Sequence, residues 1–499
     1  MTWAETVGGE RFTFSSLSEL LGKASEPTSG DALAGIAATS NRERVAAKFA
    51  LADVTVAEIV DDPLIDDDVS SALTGAVDRP AMDQAIGAFT IGELREFVLS
   101  PGFADAWSTR GLAPLILPEV AAAVTKLMSN LDLIVAAAPL RVTTRCRSTI
   151  GAPGVFAARL QPNHPTDDLS GVVLSIIDGL LYGAGDALIG INPAIESVDT
   201  VASLSTMLAE VIDRWEVPTQ GCVLAHVTTQ IAALERGAPI DLLFQSVAGT
   251  EAANRSFGID LDLLRASRDA VRAQHHARPE SYPGEQFMYF ETGQGSALSA
   301  GAHGGVDQLT CEARAQGVAR LFDPFLVNSV VGFIGPEYLA NATQIMRAGL
   351  EDHFMGKLMG LPMGVDVCYT NHVDADQNSN DSLLVLLASA GVNFVMGVPA
   401  GDDIMLSYQS TSFHDVATTR HLLGMQPAPE FTAWMERRGL WKQGRLQHGA
   451  GGGAELDRLR SLLEPGLAAL DTGLDSGLDS GLDPGLDPGL DSRVDAGRA

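Results

Sequence analysis

The chain has 499 residues, 46% of them hydrophobic, and a formal net charge of −30 at pH 7. This length is enough for a large core and one or two accessory domains. The acidic balance argues against nucleic acid as a partner, because phosphate binding needs a basic surface.

The cysteines and the apolar segments predict neither export nor membrane insertion. The four cysteines lie far apart without a Cys-x-x-Cys pair, which excludes a readable zinc or redox motif and fits a reducing compartment. The N-terminus has no basic stretch followed by an apolar one, so we expect no signal peptide. The longest uncharged run, residues 382–401, is interrupted by glycines and Pro399, which favours a helix, a turn and a strand over a membrane span. We therefore expect a cytoplasmic protein.

Residues 1–110 are rich in helical patterns. Alanine, leucine and charged residues recur at helical spacing, for example in residues 42–50. Thr90 stands three residues before Glu93, the spacing of a capping box at the start of a helix. We predict that residues 1–110 form an N-terminal helical accessory domain.

Short apolar runs alternate with amphipathic helical stretches between residues 150 and 400. The runs span residues 155–160, 187–191, 222–226, 242–245, 287–290, 325–333, 364–368 and 393–397. Strands that alternate with helices indicate right-handed βαβ units and a parallel sheet. Eight such units have the size of a (β/α)₈ barrel, which we predict over residues 111–425. An open doubly wound sheet is the alternative.

Polar residues follow or close most of these runs. They are Arg159, Gln161, Asn192, His226, Gln245, Ser246, Glu291 and Asp366. Because the C-terminal ends of barrel strands open onto one mouth, this pattern predicts a single active site there. Glu291 is the central candidate, since it follows a buried apolar run and precedes glycines and small residues that allow close approach of a ligand. A structural ion pair or a helix cap is the alternative role for this carboxylate.

The C-terminal part changes character twice. Residues 426–470 read as a helical segment that carries Trp434, and residues 471–499 are a repeat of Gly-Leu-Asp units. One leucine in four residues cannot cover a core, so we predict a disordered acidic tail. Calcium-binding repeats also use glycine and aspartate, but their period is nine residues and not four.

Some residues could also serve a metal or a cofactor. His372, Asp374 and Asp376 could hold a catalytic metal ion, or they could form a hydrogen-bonded loop at the barrel mouth. The stretch around His353 is one residue away from a cobalt-ligating Asp-x-His-x-x-Gly motif. Its helical context indicates a helix residue instead. No dinucleotide-binding fingerprint and no P-loop is readable.

Several longer blocks resemble the family of ethanolamine ammonia-lyase large subunits, which are the catalytic subunits of an adenosylcobalamin-dependent enzyme. The blocks span residues 156–163, 218–230, 289–302, 323–328, 332–338, 349–357 and 401–408. The similarity extends from about Arg11 to about Leu446, while the repeat tail and the residues around His275 lie outside the family pattern. The resemblance implies a (β/α)₈ barrel whose mouth is covered by adenosylcobalamin, with the cobalamin held between large and small subunits.

The resemblance also implies roles for individual residues. The positions that match substrate-binding residues are Arg159, Gln161, Asn192, Glu291 and Asp366, of which Glu291, Arg159 and Asp366 are the catalytic candidates. The positions that match the cofactor's surroundings are Pro193, Gln245, Ser246, Phe257, Ser299 and Met405. Ser256 departs from the pattern, because a longer polar residue is expected there near the adenosyl ribose. The resemblance implies no metal ligand supplied by this chain.

The implied reaction converts ethanolamine to acetaldehyde and ammonia by radical chemistry. The implied partners are a small subunit and further large chains within a larger hetero-oligomer. Whether a bacterial microcompartment encloses the enzyme stays open. Two alternatives remain at this point. One is a metal-dependent barrel lyase or isomerase that uses His372, Asp374 and Asp376, and the other is a non-catalytic scaffold with the same fold.

Overall fold

The computed structural model describes residues 2–278 and 283–447, and eight parallel strands form its central sheet. Each predicted apolar run overlaps one of these strands, with ends that differ by at most three residues. They are β1 (Ala157–Leu160), β2 (Leu188–Ile191), β3 (Gly221–Val223), β4 (Leu243–Ser246), β5 (Met288–Thr292), β6 (Leu326–Val331), β7 (Met363–Val367) and β8 (Phe394–Gly397). Nearly all of their residues are buried, because helices or other segments cover both faces of the sheet, and this explains the continuous apolar runs.

The sheet curves into a nearly closed barrel. Its hydrogen-bonded order is β3-β2-β1-β8-β7-β6-β5-β4, so the first and last strands along the chain are neighbours. The remaining gap lies between β3 and β4, where the Leu242 amide donates to the Gly221 carbonyl over 3.3 Å. The pairing of β1 with β8 confirms the predicted (β/α)₈ barrel, because an open doubly wound sheet would leave these strands apart.

One long helix follows each strand. The helices are α1 (Leu169–Leu181), α2 (Val198–Trp215), α3 (Val227–Glu235), α4 (Leu261–Ala277), α5 (Gln308–Arg320), α6 (Ala342–Leu358), α7 (Gln377–Ser389) and α8 (Phe413–Leu423). Polar caps set where they begin: Ser197, Asp307 and Asp376, for example, each accept a hydrogen bond from the backbone amide three residues later. Almost every residue of α5 is buried, because the N-terminal region packs against its outer side.

The N-terminal region is helical as predicted, but it begins with a β-hairpin, Trp3–Val7 and Glu10–Phe14. The Thr90 capping box is confirmed, since Thr90 and Glu93 satisfy each other's backbone amides. Two of the helices lie beyond residue 110. The helices are Leu17–Ala24, Ser29–Leu33, Asn41–Ala52, Val56–Asp61, Asp68–Gly75, Arg79–Met82, Ile91–Val98, Phe103–Thr109, Pro118–Lys126 and Asn130–Ala137.

Shorter elements complete the described part of the chain. The short helices are Asp83–Gly87, Ala113–Leu115, Glu251–Ser256, Ser296–Ser299, Pro399–Gly401 and Pro429–Arg437. The short strands are Thr144–Arg145 with Thr149–Ile150, Tyr369–Thr370 with Asp402–Asp403 and Tyr408–Gln409, and Trp441–Lys442 with Arg445–Leu446. Within residues 2–278 and 283–447, no helix is both long and apolar enough to cross a membrane.

The predicted C-terminal helix is found at Pro429–Arg437, where Trp434 is buried and donates its indole N–H to the Trp215 carbonyl over 2.9 Å. The rest of the predicted segment, residues 448–470, and the predicted tail at residues 471–499 lie outside the described residues.

Candidate active site

A cavity of about 480 Å³ lies at the C-terminal ends of the barrel strands. This volume falls within the roughly 300–1,000 Å³ typical of pockets that bind small organic ligands. The lining residues are Arg159, Gln161, Asn192, Gln245, Ser246, Val247, Phe257, Glu291, Thr292, Ser296, Val330, Phe333, Ile334, Asp366, Met396, Leu406 and Tyr408. The structure therefore brings together all five residues that the resemblance matched to substrate positions.

Arg159 and Glu291 form an ion pair across the barrel. Arg159 Nη1 donates to Glu291 Oε1 over 2.6 Å and to the Tyr289 hydroxyl over 2.5 Å. The Arg159 side chain is 1% exposed, so this charge depends on its partners for compensation. Gly190 on β2 makes room for the guanidinium, because a Cβ atom there would lie 2.8 Å from Arg159 Nε.

Only one carboxylate oxygen of Glu291 accepts hydrogen bonds from the residues that the structure describes. Oε1 accepts from Arg159, from the Tyr289 hydroxyl over 2.6 Å and from Asn328 Nδ2 over 3.4 Å. Oε2 accepts no hydrogen bond from the described residues. Since Glu291 lines the cavity, this oxygen is available to a ligand that carries a hydrogen-bond donor or a positive charge.

Gln161 and Asn192 form the amide side of the site. Gln161 Oε1 accepts from Arg159 Nη2 and, over 2.9 Å, from Asn192 Nδ2. Gln161 Nε2 donates to Asp403 Oδ2 over 2.6 Å and to the Tyr408 hydroxyl over 3.0 Å. These four contacts fix the orientation of the Gln161 amide, because its oxygen faces donors and its nitrogen faces acceptors.

Asp366 is the second carboxylate of the cavity. Burial raises the pKa of Asp366 to about 7, against the lowering effect of the Ser410 hydroxyl and of the Arg159 charge. Ser410 Oγ donates to Asp366 Oδ1 over 2.8 Å. A carboxyl group in this state exchanges its proton near neutral pH, and a cation beside it favours the ionised form.

The alternation of side chains along the strands explains why these residues meet. Arg159 and Gln161 are two positions apart, as are Tyr289 and Glu291, so each pair points to the same side of its strand. The side chain of Thr292 has the opposite direction, and its hydroxyl donates to Glu312 Oε1 on α5. The predicted strand ended at Phe290, but β5 continues to Thr292, because Glu291 pairs with Ser246 on β4 and with Asn328 on β6.

Sequence reasoning missed several residues that contact the predicted set, and five of them contact Gln161, Glu291 or Asp366 directly. They are Tyr289, Asn328, Asp403, Tyr408 and Ser410. Tyr289 could have been found from its position two residues before Glu291, and Asn328 from its place inside an apolar run. The other three lie in the segment after β8, and no local pattern points to their contacts.

The positions matched to the cofactor's surroundings divide into two groups. Gln245, Ser246 and Phe257 line the cavity, whereas Pro193, Ser299 and Met405 do not. Their neighbours Asn192, Ser296 and Leu406 line it instead.

Two other predicted positions make local contacts. Ser256 donates its hydroxyl to the Ala253 carbonyl of its own helix over 2.7 Å. His226 does not line the cavity but caps α3, where its side chain accepts from the Thr228 amide.

The alternative metal site receives no support from the geometry. His372, Asp374 and Asp376 are exposed, and none of them lines the cavity. Asp376 caps α7 by accepting from the Ser379 amide over 2.8 Å. In the part of the chain that the structure describes, no group of three or more His, Cys, Asp or Glu residues is arranged to hold a metal ion. His353 is a buried residue of α6, as its helical context predicted.

Comparisons with known proteins find close relatives over almost the whole described chain. Residues 12–449 match the family described as ethanolamine ammonia lyase large subunit (EutB). The ethanolamine ammonia-lyase large subunit of Escherichia coli (strain K12) is 52% identical over 452 residues, which cover 89% of this chain and 98% of that protein. The protein of the same name from Salmonella typhimurium (strain LT2) is 51% identical over 452 residues, with the same coverage.

Proposed function

We propose, from the premise that the chain belongs to the family of ethanolamine ammonia-lyase large subunits, that it binds ethanolamine in the barrel cavity. It is an ammonia-lyase, an enzyme that breaks a carbon–nitrogen bond. The products are acetaldehyde and ammonia, and turnover requires adenosylcobalamin and a small subunit. The observation that carries this proposal is the unused Glu291 oxygen in a cavity that also contains Asp366.

The charges in the cavity support a cationic substrate. Its charged lining residues are Arg159, Glu291 and Asp366, so two carboxylates face one guanidinium. Ethanolamine is a cation at neutral pH, and its ammonium group balances the second carboxylate when it binds. An uncompensated charge in such a buried site would be costly, so the site favours a cation over a neutral or anionic molecule of the same size.

The amides of the cavity orient the substrate, and its charged groups stabilise charge and exchange protons. Gln161 and Asn192 both line the cavity. Asn192 Oδ1 accepts no hydrogen bond from the described residues, so it can accept one from an ammonium or a hydroxyl group, whereas Gln161 contacts the substrate by sharing one of its four present hydrogen bonds. The fixed positive charge of Arg159 stabilises negative charge that develops on the substrate oxygen. Asp366 exchanges its proton near neutral pH, so its carboxyl oxygen can donate a proton to the leaving ammonia or accept one from it.

The size of the cavity supports a second bound group beside the substrate. Its volume of about 480 Å³ far exceeds what a substrate with a two-carbon skeleton fills. Gln245, Ser246 and Phe257 provide polar and aromatic contacts for an adenosyl group in the remaining space. When bound, adenosylcobalamin supplies the radical chemistry that starts from hydrogen abstraction, while the protein orients the substrate and excludes water.

Exposed apolar side chains support a covering partner at the mouth. Ile195, Phe333 and Ile404 are 62%, 39% and 62% exposed, and they lie in the loops after β2, β6 and β8. Exposed apolar groups around a pocket are typical of a surface that another molecule covers. We assign this surface to the small subunit with its cobalamin.

Further large chains and the cellular location are also part of the proposal. Leu131 and Val135 on the helix Asn130–Ala137 are 68% and 54% exposed. Such side chains suit a contact between large chains. We propose a cytoplasmic hetero-oligomer, with enclosure in a bacterial microcompartment as an additional hypothesis that cell fractionation tests.

Reconstitution tests the proposal directly. The chain co-expressed with its small subunit should form acetaldehyde from ethanolamine when adenosylcobalamin is added, and the purified chain alone should be inactive. Robust turnover by the chain without cobalamin would contradict the proposal. So would a reconstituted complex that takes up adenosylcobalamin but leaves ethanolamine unchanged.

A further inference from the structure

The segment after β8, residues 402–411, borders the cavity and is joined to the substrate site. Its strands Asp402–Asp403 and Tyr408–Gln409 form a small antiparallel sheet with Tyr369–Thr370, which follows β7. Leu406 and Tyr408 line the cavity. The segment therefore forms part of the wall against which a substrate would lie.

Asp403 is a buried residue that connects this segment to the substrate site. Its Oδ2 accepts from Gln161 Nε2 over 2.6 Å and from Asn163 Nδ2 over 2.8 Å. Its Oδ1 accepts from the backbone amides of Met405 over 3.1 Å and Leu406 over 2.7 Å. One carboxylate that is 2% exposed thus joins the end of β1 to the segment's own turn.

The amide of Gln161 depends on this carboxylate for its orientation. Since Gln161 Oε1 already accepts from Arg159 and Asn192, its Nε2 has to face acceptors, and Asp403 provides the charged one. A reversed amide would place an oxygen against the Asp403 carboxylate, which is unfavourable. Asp403 therefore specifies how Gln161 is presented to the cavity.

We infer that Asp403 is a positioning residue that couples substrate binding at Gln161 to the order of the 402–411 segment. The inference rests on the proposed function, because it takes Gln161 as a substrate contact. When ethanolamine holds Gln161 in place, the shared carboxylate stays fixed, and its hydrogen bonds to the amides of Met405 and Leu406 open less often. A purely structural turn would hold these amides equally well with and without substrate.

Two neighbouring aspartates provide the test and its control. Asp403→Asn keeps one acceptor oxygen but introduces an NH₂ group, so it cannot satisfy both the Gln161–Asn163 side and the Met405–Leu406 side. Asp402→Asn makes the same change at an exposed residue whose carboxylate accepts only from Gln409 among the described residues, over 3.0 Å. The two variants differ in burial and partners but not in chemistry.

The measurement is hydrogen exchange of the Met405 and Leu406 amides in the complex with the small subunit, with and without ethanolamine. Ligand-free Asp403→Asn should exchange roughly tenfold faster or more than wild type, the factor expected for a lost charge-assisted hydrogen bond. Ethanolamine should slow exchange in wild type and in Asp402→Asn, but not in Asp403→Asn. The KM for ethanolamine should rise in Asp403→Asn alone.

Unchanged exchange in ligand-free Asp403→Asn would overturn the inference, and so would an ethanolamine effect of wild-type size in that variant. If Asp403→Asn does not fold, ligand-free exchange in Asn163→Ala replaces it, because this variant removes one donor from Oδ2 and should speed exchange of the Met405 and Leu406 amides to a smaller extent. Its KM is left out of the comparison, since Asn163 Oδ1 also accepts from the Asn192 amide. Failure of the wild-type complex to bind ethanolamine by calorimetry would overturn the proposed function. The ligand-free exchange would still decide whether Asp403 orders the segment.

Discussion

Asp307 and Asp366 are both buried aspartates, yet their surroundings give them opposite properties. Burial raises the pKa of Asp307, but the Lys126 ammonium at 2.6 Å and hydrogen bonds from Thr310 outweigh it and hold the pKa below its ordinary value. Burial of Asp366 is not outweighed in this way, and its pKa is raised to about 7. The difference is a cation in direct contact: Lys126 forms an ion pair with Asp307, whereas Asp366 forms none with the described residues and only feels the Arg159 charge from further away.

This contrast has opposite consequences for stability. Asp307 binds its proton less tightly in the folded state, so its contribution is present above its ordinary pKa and is lost as the pH falls through the lower folded value. Asp366 binds its proton more tightly in the folded state, so stability falls as the pH rises from 3.8 to about 7. The cavity carboxylate Asp366 thus lowers stability at neutral pH.

Glu291 should show the largest effect on activity. Glu291→Gln removes the charge that balances the substrate ammonium, and losing one partner of a buried ion pair costs roughly 3–5 kcal/mol, or about two to four powers of ten in kcat/KM. Steady-state kinetics with saturating adenosylcobalamin measures this, after copurification with the small subunit has shown that the variant folds. The exposed Glu337→Gln is the control. Activity of Glu291→Gln within about threefold of wild type would make the carboxylate structural.

Lys126 should show the largest effect on stability without a matching loss of activity. Lys126→Met leaves the Asp307 charge buried without its cation, which should lower the free energy of unfolding by roughly 3–5 kcal/mol. Thermal unfolding measures this, with the exposed Lys442→Met as the control. At a temperature where the variant stays folded, its kcat/KM should remain within about twofold of wild type. A folded Lys126→Met as inactive as Glu291→Gln would remove the distinction between the two regions.

Gln161 should matter less than Glu291, because it is neutral. Gln161→Ala removes hydrogen bonds to charged groups. We expect kcat/KM to fall by an amount that corresponds to roughly 1.5–3 kcal/mol. The same kinetic assay compares the two variants. A loss for Gln161→Ala that exceeds that for Glu291→Gln would mean that the amide network, and not the charge, dominates the site.

The pKa of Asp366 predicts a pH dependence of substrate capture. The substrate stays a cation between pH 6 and 8, whereas Asp366 ionises near pH 7, so kcat/KM should rise with pH and level off above 7. Below pH 7 the slope should approach tenfold per pH unit. Asp366→Asn should be less active and should lose this inflection. The same inflection in that variant would assign the titration to another group.

Deletion of residues 472–499 should have the smallest effect. The Gly-Leu-Asp repeat has too few apolar residues to contribute to a core, so activity and assembly should match those of the full chain. Size-exclusion chromatography and kinetics of the truncated complex test this. A several-fold loss of turnover or of assembly would indicate a docking segment.

The sequence by itself determined the barrel strands and the residues at their ends. Both follow from local patterns: buried parallel strands are continuous apolar runs, and polar side chains stand where these runs stop. The alternation of side chains also predicts that Arg159 and Gln161 point the same way. The family resemblance added the substrate, and all five matched substrate positions line the cavity.

Only the tertiary structure decided which of these residues contact one another. The Arg159–Glu291 pair joins residues 132 positions apart, and the Gln161–Asp403 bond joins residues 242 positions apart. Local periodicity carries no information on such contacts, because they depend on how β1 meets β8 when the barrel closes. For the same reason, the sequence indicated an acidic site but not the raised pKa of Asp366. That pKa depends on burial and on which charged groups the surrounding elements place near the carboxylate.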